Sequence, residues 1–247
     1  MKIADLLVRV HNLYPHSLKT GEMIDFCNEV GAILKCKYLQ EFDTVLLKYG
    51  DNLPEGISKR DIIRVVADGN IIERDDLTDS GVLMYPESKR KILKVSPWSG
   101  AAEVTYRVPY LPIRYLEFTD TVTDADGGFT LTKEHDIRAG DVLITGDGDF
   151  TVTDVEVTDT GFLVKGDGEV LQGEQKIERM IDELTVTDPP YDRIYTEFLI
   201  ARAARFQKDY EAENRALQNY NALLEDLERY LVRNGKRPRQ QQFFNFW

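Results

Sequence analysis

Few residues of this chain have the types and spacing that metal binding requires. Asp124, Asp126 and Gly127 are spaced like the first positions of a calcium-binding EF-hand loop. Such a loop needs a Glu at its twelfth position, where this chain has His135. Asp and Gly are also common in turns because they tolerate left-handed backbone conformations. We therefore predict no metal site and no cofactor.

The histidines and cysteines do not form a catalytic pattern either. His11, His16 and His135 are scattered, and no HxxH or HExxH spacing joins them. Cys27 and Cys36 lie on one predicted helix, whose geometry places their Cα atoms about 13 Å apart, too far for a disulfide. Both fall on its apolar face, which predicts core packing rather than nucleophilic catalysis. Since GxxxxGK and GxSxG motifs are also missing, we predict that the protein is not an enzyme.

Composition narrows the class of protein further. The chain has 247 residues, of which 42% are hydrophobic and 30% charged, and its formal net charge is −12. An acidic total argues against a protein that binds nucleic acid by neutralising phosphates, although DNA could still slide past it. No run of 18 apolar residues is present, so no membrane span is expected. The amphipathic N-terminal segment lacks a small-residue cleavage site and is not predicted to be a signal peptide.

Periodicity divides the chain into helical ends and a β-rich middle. The spacing from Ile3 to Leu13 predicts one helix, which ends before Pro15, and the stretch from Thr20 to Leu34 predicts a second. The stretch from Phe42 to Tyr49 reads as a strand. Short apolar runs follow, and they are separated by Asp- and Gly-rich turns that include 124–128, 146–149 and 166–168. The predicted strands are 62–67, 71–74, 92–95, 103–108, 113–118, 129–132, 142–145, 150–157 and 162–165.

After Pro190 the chain reads as helix from Tyr191 to Asn234 without a Gly or Pro. Its second half has apolar residues every three or four positions, at Leu217, Tyr220, Leu224, Leu227 and Leu231. The polar stretch 207–215 predicts either a solvent-spanning stretch of helix or a break between two helices, and we expect a kink or a change of packing partner near 211–214. The expected fold class is therefore α+β, with a helical frame from both chain ends, an inserted small β-barrel or β-sandwich and a long C-terminal helix.

A basic, aromatic tail follows this helix. Residues 236–239 carry three positive charges, and four aromatic residues lie within the last five positions. Aromatic and Arg side chains supply much of the binding energy of protein interfaces. We therefore predict that the tail binds a neighbouring protein rather than its own subunit. The predicted partner-binding residues are Arg237, Arg239, Phe243, Phe244, Phe246 and Trp247.

Three stretches of the chain, 22–34, 104–116 and 190–220, resemble a known group of proteins. The first begins Glu22-Met-Ile-Asp-Phe, the second Val104-Thr-Tyr-Arg-Val-Pro, and the third contains spaced Tyr and Asn residues. Together they resemble head-to-tail adaptor (connector) proteins of tailed bacteriophages that infect Gram-positive bacteria. The resemblance covers about half of the chain, and 119–187 is longer than the group leads us to expect.

The resemblance implies a virion structural protein at the head-to-tail interface, made in the host cytoplasm. About a dozen copies would form a homo-oligomeric ring beneath the portal protein. The ring would also contact a tail or nozzle protein, and DNA would pass through its channel during ejection without specific binding. The alternative function is that of a tail-tip or baseplate component whose β domain binds the host surface; an exposed cluster of aromatic residues on that domain would favour it.

The corresponding domain prediction has four parts. Residues 1–52 form N-terminal helices, and residues 53–187 form the inserted β-rich region, most barrel-like at 119–187. Residues 188–234 form the long helix, and residues 235–247 form an extended assembly tail.

Overall fold

The computed structural model describes residues 1–48, 51, 53–54, 56–57, 59–67, 69–72, 101–125, 127–146, 148–158, 161–169 and 172–234. Within these ranges the chain is mixed α+β, as predicted, with four α-helices and two antiparallel sheets. The described chain divides into two compact units. Unit 1 comprises Met1–Asn28 and Ile113–Tyr220, and unit 2 comprises Glu29–Pro112 and the chain from Asn221 onward.

The helices lie at both ends of the described chain, as the periodicity predicts. They are α1 (Ile3–Leu13), α2 (Thr20–Ile33), α3 (Arg193–Phe206) and α4 (Tyr210–Arg233). A π-helical turn, Leu34–Tyr38, continues α2. In unit 1, α1 buries one stripe formed by Ile3, Leu6 and Val10 and contacts α3, which is buried on most sides.

The prediction of one long C-terminal helix is wrong, because α3 and α4 are separated by residues 207–209. The break lies a few residues before the predicted position at 211–214. Lys208 adopts a left-handed conformation, with φ of 61°. The Asp209 carboxylate then accepts a hydrogen bond from the amide of Ala212 at 3.0 Å, which satisfies one of the free N–H groups at the start of α4. In α4 the predicted apolar spacing is confirmed, since Tyr220, Leu227 and Leu231 are buried.

The sheet of unit 2 has four antiparallel strands in the order β1-β4-β2-β3. The strands are β1 (Phe42–Lys48), β2 (Ile62–Ala67), β3 (Asn70–Ile72) and β4 (Ala101–Arg107), and a short 3-10 turn, Lys59–Asp61, precedes β2. The predicted hairpin between β2 and β3 is confirmed, with Gly69 at a φ of 78°. The inner face carries a core of Leu47, Ile62, Val65, Ala67, Ala102 and Val104. The predicted strand at 92–95 lies outside the described residues.

The sheet of unit 1 has six antiparallel strands. They are β5 (Glu117–Ala125), β6 (Gly128–Leu131), β7 (Val142–Thr145), β8 (Gly148–Thr158), β9 (Gly161–Gly168) and β10 (Gly173–Arg179). Strand β10 pairs with both β5 and β7, so the strand order β10-β5-β6-β9-β8-β7 is cyclic. The core inside this sheet is built from Val122, Phe129, Leu131, Ile137, Leu143, Phe150, Val152, Val164 and Ile177.

Three sequence-based assignments in this region need correction: one strand was missed, one predicted turn lies within a strand, and one strand starts later than predicted. Strand β10 was not predicted, because only Ile177 of its seven residues is a buried apolar side chain. The turn predicted at 166–168 belongs to β9, where glycines without a Cβ allow the backbone of β8 to approach closely. The strand predicted at 113–118 begins only at Glu117, because the backbone of Ile113 bonds to the Asn28 side chain and not to a neighbouring strand.

The segment 108–116 packs on α2 instead of forming a strand. In unit 1, the Asn28 side chain accepts a hydrogen bond from the amide of Ile113 at 2.7 Å and donates one to its carbonyl oxygen at 2.9 Å. In unit 2, the ring of Tyr110 lies against Gly31, where a Cβ would come within 2.6 Å of the ring. Asn28 therefore satisfies the backbone groups that strand pairing would otherwise satisfy.

Candidate functional site

The predicted partner-binding residues all lie outside the described residues. They are Arg237, Arg239, Phe243, Phe244, Phe246 and Trp247, and the described chain ends at Asn234, just after α4. Their role in assembly therefore stays a prediction. The described residues add further surface features to this prediction.

The outer face of the four-stranded sheet carries exposed apolar side chains among polar and charged ones. Leu46 is 68% exposed on β1, and Ile71 is 68% exposed on β3. The strand register connects them in one row across the sheet, through Glu103 of β4 and Val66 of β2. Phe42, at the other end of β1, is 42% exposed on the same face. Exposed apolar side chains in one row are typical of a surface that binds another protein.

Among the described strands β1 lies at one edge of this sheet, and two of its outward amides are occupied. The amide of Val108 donates to the carbonyl oxygen of Glu41, so the backbone groups of alternate residues from Asp43 onward point toward β4. The amides of Thr44 and Lys48 consequently point outward, and each is already bonded to a carboxylate. Thr44 donates to Asp43 at 2.8 Å, and Lys48 donates to Asp51 at 2.7 Å. Occupied outward amides disfavour the addition of another strand.

A buried carboxylate, Asp141, is the main charged centre of unit 1. It is 5% exposed and accepts hydrogen bonds from the Arg114 guanidinium, from Arg179 Nε at 2.9 Å and from the amide of Arg138 at 2.8 Å. Burial opposes ionisation of Asp141, but these donors outweigh it and hold the pKa of the carboxyl below its ordinary value. Arg179 also bonds Glu183 at 2.8 Å and the carbonyl oxygen of Arg114 at 2.8 Å. The centre joins the segment before β5, the segment before β7 and the end of β10.

A second buried carboxylate, Asp120, lies in β5 at a position that faces the core. It accepts hydrogen bonds from the amides of Thr121, Thr132 and Lys133 and from the Thr132 hydroxyl. His135 Nε2 lies 3.3 Å from its second oxygen, and the His135 ring stacks on Phe118. Burial works against ionisation, but the hydrogen bonds are stronger and lower the pKa of Asp120.

Both carboxylates have the surroundings of structural groups. Each is satisfied by several donors, and these donors come from the loops and strands that the carboxylate holds together. Sequence reasoning did not single out either residue. The sequence does contain a clue for Asp120. Along β5 alternate residues face the core, and Asp120 lies at such a position, between Phe118 and Val122. For Asp141 no local signal existed, since Arg114 and Arg179 are distant in the sequence.

The calcium interpretation gains no support from the part of the chain that can be described. No group of three or more His, Cys, Asp or Glu side chains in the described ranges is arranged to hold a metal ion. Asp124 is exposed at the end of β5, and Asp126 lies outside the described residues.

The two cysteines differ from the prediction in one respect. Cys27 is buried in α2, as predicted, and burial raises the pKa of its thiol to about 12. Cys36 lies in the π-helical turn and is exposed, so its predicted place on a buried apolar face is wrong. A π-helical turn has more residues per turn than an α-helix, which rotates the following side chains away from the face that α-helical spacing predicts.

A small cavity of unit 1 lies between α1 and the start of α2. Its volume is about 280 Å³, and its walls include Leu7, Leu18 and Met23. His11 and His16 also line it, with their ring centroids 5.3 Å apart and their planes at 84°. The scattered histidines of the sequence thus include one pair in contact, which their spacing did not predict.

No protein-family model, curated protein or solved structure matches the chain. Among the helices of the described ranges, none has the length and apolar character needed to cross a membrane.

Proposed function

We propose that this protein is a virion structural protein, a head-to-tail adaptor of a tailed bacteriophage. About a dozen copies form a ring beneath the portal protein and around the DNA channel. The ring contacts the portal on one side and a tail or nozzle protein on the other. DNA passes through without specific binding, in keeping with a net charge of −12. The proposal begins from the three sequence stretches that resemble such adaptors.

The observation on which the proposal mainly depends is the set of exposed apolar side chains on the outer face of the four-stranded sheet. Leu46 and Ile71 are each 68% exposed in one cross-strand row. A closed ring requires each copy to present one surface to a different surface of the next copy. Because the outward amides of Thr44 and Lys48 are occupied, we infer that this sheet contacts its neighbour through its face rather than its edge.

The tail adds a second support, from sequence alone. Burying three Phe and one Trp side chains would contribute on the order of 5–10 kcal/mol per copy before the cost of ordering the tail. That cost is large for an extended segment, so one tail would bind weakly. Many tails attached to one ring would bind together far more tightly through multivalency.

The alternative, a tail-tip component that binds a surface glycan through its β domain, has less support. The strands β5–β10 and their loops contain four aromatic residues, Phe118, Phe129, Phe150 and Phe162. All four are buried or half-buried against the core of the six-stranded sheet. A glycan site of the usual kind needs exposed aromatic rings for stacking against sugars.

The proposal includes an architecture in which both chain ends form a helical frame around an inserted small β-barrel. Two observations within unit 1 support it. The pairing of β10 with both β5 and β7 makes the strand order cyclic, as barrel closure requires. The backbone of Lys2 pairs with Leu184, and the amide of Ile3 donates to Glu183, so the start of the chain is joined to the segment that precedes α3.

Mass photometry and negative-stain imaging of the full chain, alone and with a candidate portal, test the proposal. We expect a ring that binds the portal. Deletion of 240–247 should leave the thermal unfolding temperature nearly unchanged and abolish stable attachment to the neighbouring ring. Unfolding of the truncated chain would place the tail in its own core, and normal attachment would place the interface on the sheet face. A full chain that stays monomeric and ignores the portal would contradict the adaptor function itself.

A further inference from the structure

His16 occupies an unfavourable position in the link between α1 and α2. Both of its ring nitrogens are inaccessible to solvent and have no hydrogen-bond partner among the described residues. A neutral imidazole carries one donor and one acceptor, so both are left unsatisfied. A protonated ring would bring a second N–H and a positive charge to the same place, at a much greater cost.

The cavity beside His16 offers the ring an alternative position. It is about 280 Å³ in volume, enough for several water molecules, and it is lined by Asn12 and Thr20 as well as by apolar side chains. An amide oxygen, a hydroxyl group and water are all acceptors for the N–H groups of a protonated imidazole. A ring that turned into this cavity would therefore find the partners that it lacks in the described position.

The link that carries His16 is attached to the junction between α3 and α4. The hydroxyl of Tyr14 donates to Asp209 at 3.2 Å, and the side chain of Gln207 donates to the carbonyl oxygen of Pro15 at 3.0 Å. These two attachments are formed by the residues immediately before His16. A movement of the link that accompanies reorientation of His16 would break both hydrogen bonds.

We propose that His16 is a proton-operated latch, which holds the link on the α3–α4 junction when neutral and releases it when protonated. The charged and titratable groups around the link are His11 on α1, Lys19 and Glu22 at the start of α2, and Asp209 at the junction. A charge on His11 opposes protonation of His16. The latch is independent of the adaptor function, because every group in it belongs to unit 1 of a single chain.

The direction of the pH dependence follows from the position of the ring. Burial, and then the neighbouring His11, lower the pKa of His16 from its ordinary value of 6.5. A group whose pKa is lower in the folded form takes up a proton more readily when the link is open. The closed link is consequently fully stable above about pH 6.5 and loses stability as the pH falls through that value.

Hydrogen exchange of the full-length chain, measured by mass spectrometry, tests the latch. After correction for intrinsic exchange, we expect opening of residues 14–18 and 207–209 to increase as the pH falls below about 6.5 and to level off once the closed form is also protonated. His16→Phe, which keeps an aromatic ring without nitrogens, should remove this increase. His11→Phe removes the neighbouring charge, so it should make the increase smaller without abolishing it.

An NMR titration of the histidine rings in the unmodified chain provides a second measurement, which does not depend on how a variant folds. The ring signals of His16 should titrate together with the side-chain amide of Gln207. The latch would be overturned by hydrogen exchange that does not change with pH, or by an increase in exchange that persists in His16→Phe. It would also be overturned if the His16 ring titrated without a change in the Gln207 signal.

Discussion

The Asp141 centre allows the sharpest test of how unit 1 is held together. The variant Asp141→Asn removes the negative charge, and because Arg114 and Arg179 donate to Oδ1 while the Arg138 amide donates to Oδ2, the new NH₂ group must face one of these donors. Removing one partner of a buried ion pair typically costs about 3–5 kcal/mol. Both arginines keep other acceptors, at Asp136 and Glu183. We therefore expect a loss near the lower limit, about 3 kcal/mol of unfolding free energy.

The chain offers a matched control in Asp136→Asn. Asp136 also pairs with Arg114, at 3.4 Å, but its side chain is 62% exposed. An exposed ion pair of this kind contributes less than about 1 kcal/mol. Urea unfolding followed by circular dichroism, together with exchange of the Arg138 amide, compares the two variants. Equal losses, or a loss below about 1 kcal/mol for Asp141→Asn, would refute the view that burial makes Asp141 the main ionic anchor.

The pH dependence provides an independent check of the same reasoning. The pKa of Asp141 is lowered in the folded chain from its ordinary value of 3.8, because its arginine and amide donors outweigh the effect of burial. Its contribution is fully present above that value and is lost as the pH falls through the lowered pKa. The difference between the original chain and Asp141→Asn should therefore stay constant at neutral pH and shrink only in strong acid. A difference that shrinks near neutral pH would contradict this assignment.

Two further predictions concern α2 and its extension. Gly31→Ala should destabilise unit 2 by about 1 kcal/mol, because the clash of the new methyl group with Tyr110 outweighs the gain in helix propensity. Adding Tyr110→Leu should restore the lost stability, which thermal unfolding of the single and double variants measures. Cys36 should react with a maleimide in the folded chain, whereas Cys27 should react only after denaturation; mass spectrometry checks both, and rapid labelling of Cys27 would show that α2 opens readily.

Local patterns in the sequence predict most of the elements, but not their partners. The alternation of 142–145 and the spacing of 3–13 identify a strand and a helix, because each pattern reflects one buried face. The pairing of β10 with β5 and β7 depends on contacts between distant segments. Strand β10 itself has too few apolar residues to reveal a buried face.

The candidate sites were harder to predict for the same reason. Asp141 forms its ion pairs only because the fold brings Arg114, just before β5, and Arg179, at the end of β10, next to it. Likewise, Asn28 reads as a polar position of a helix until Ile113 is placed beside it. Such polar contacts depend on the tertiary structure, and no periodicity of a single segment encodes them.

The two sheets differ in a way that bears on assembly. The six-stranded sheet keeps its four Phe side chains within or against its core, and its strand β10 pairs with both β5 and β7. The four-stranded sheet instead exposes Leu46 and Ile71 on one face, and carboxylates occupy two outward amides of β1, those of Thr44 and Lys48. An open edge would favour growth by strand addition, which does not end at a fixed number of copies. A protected edge beside an apolar face favours contacts between side chains, whose geometry can set the angle between neighbouring copies and so close a ring.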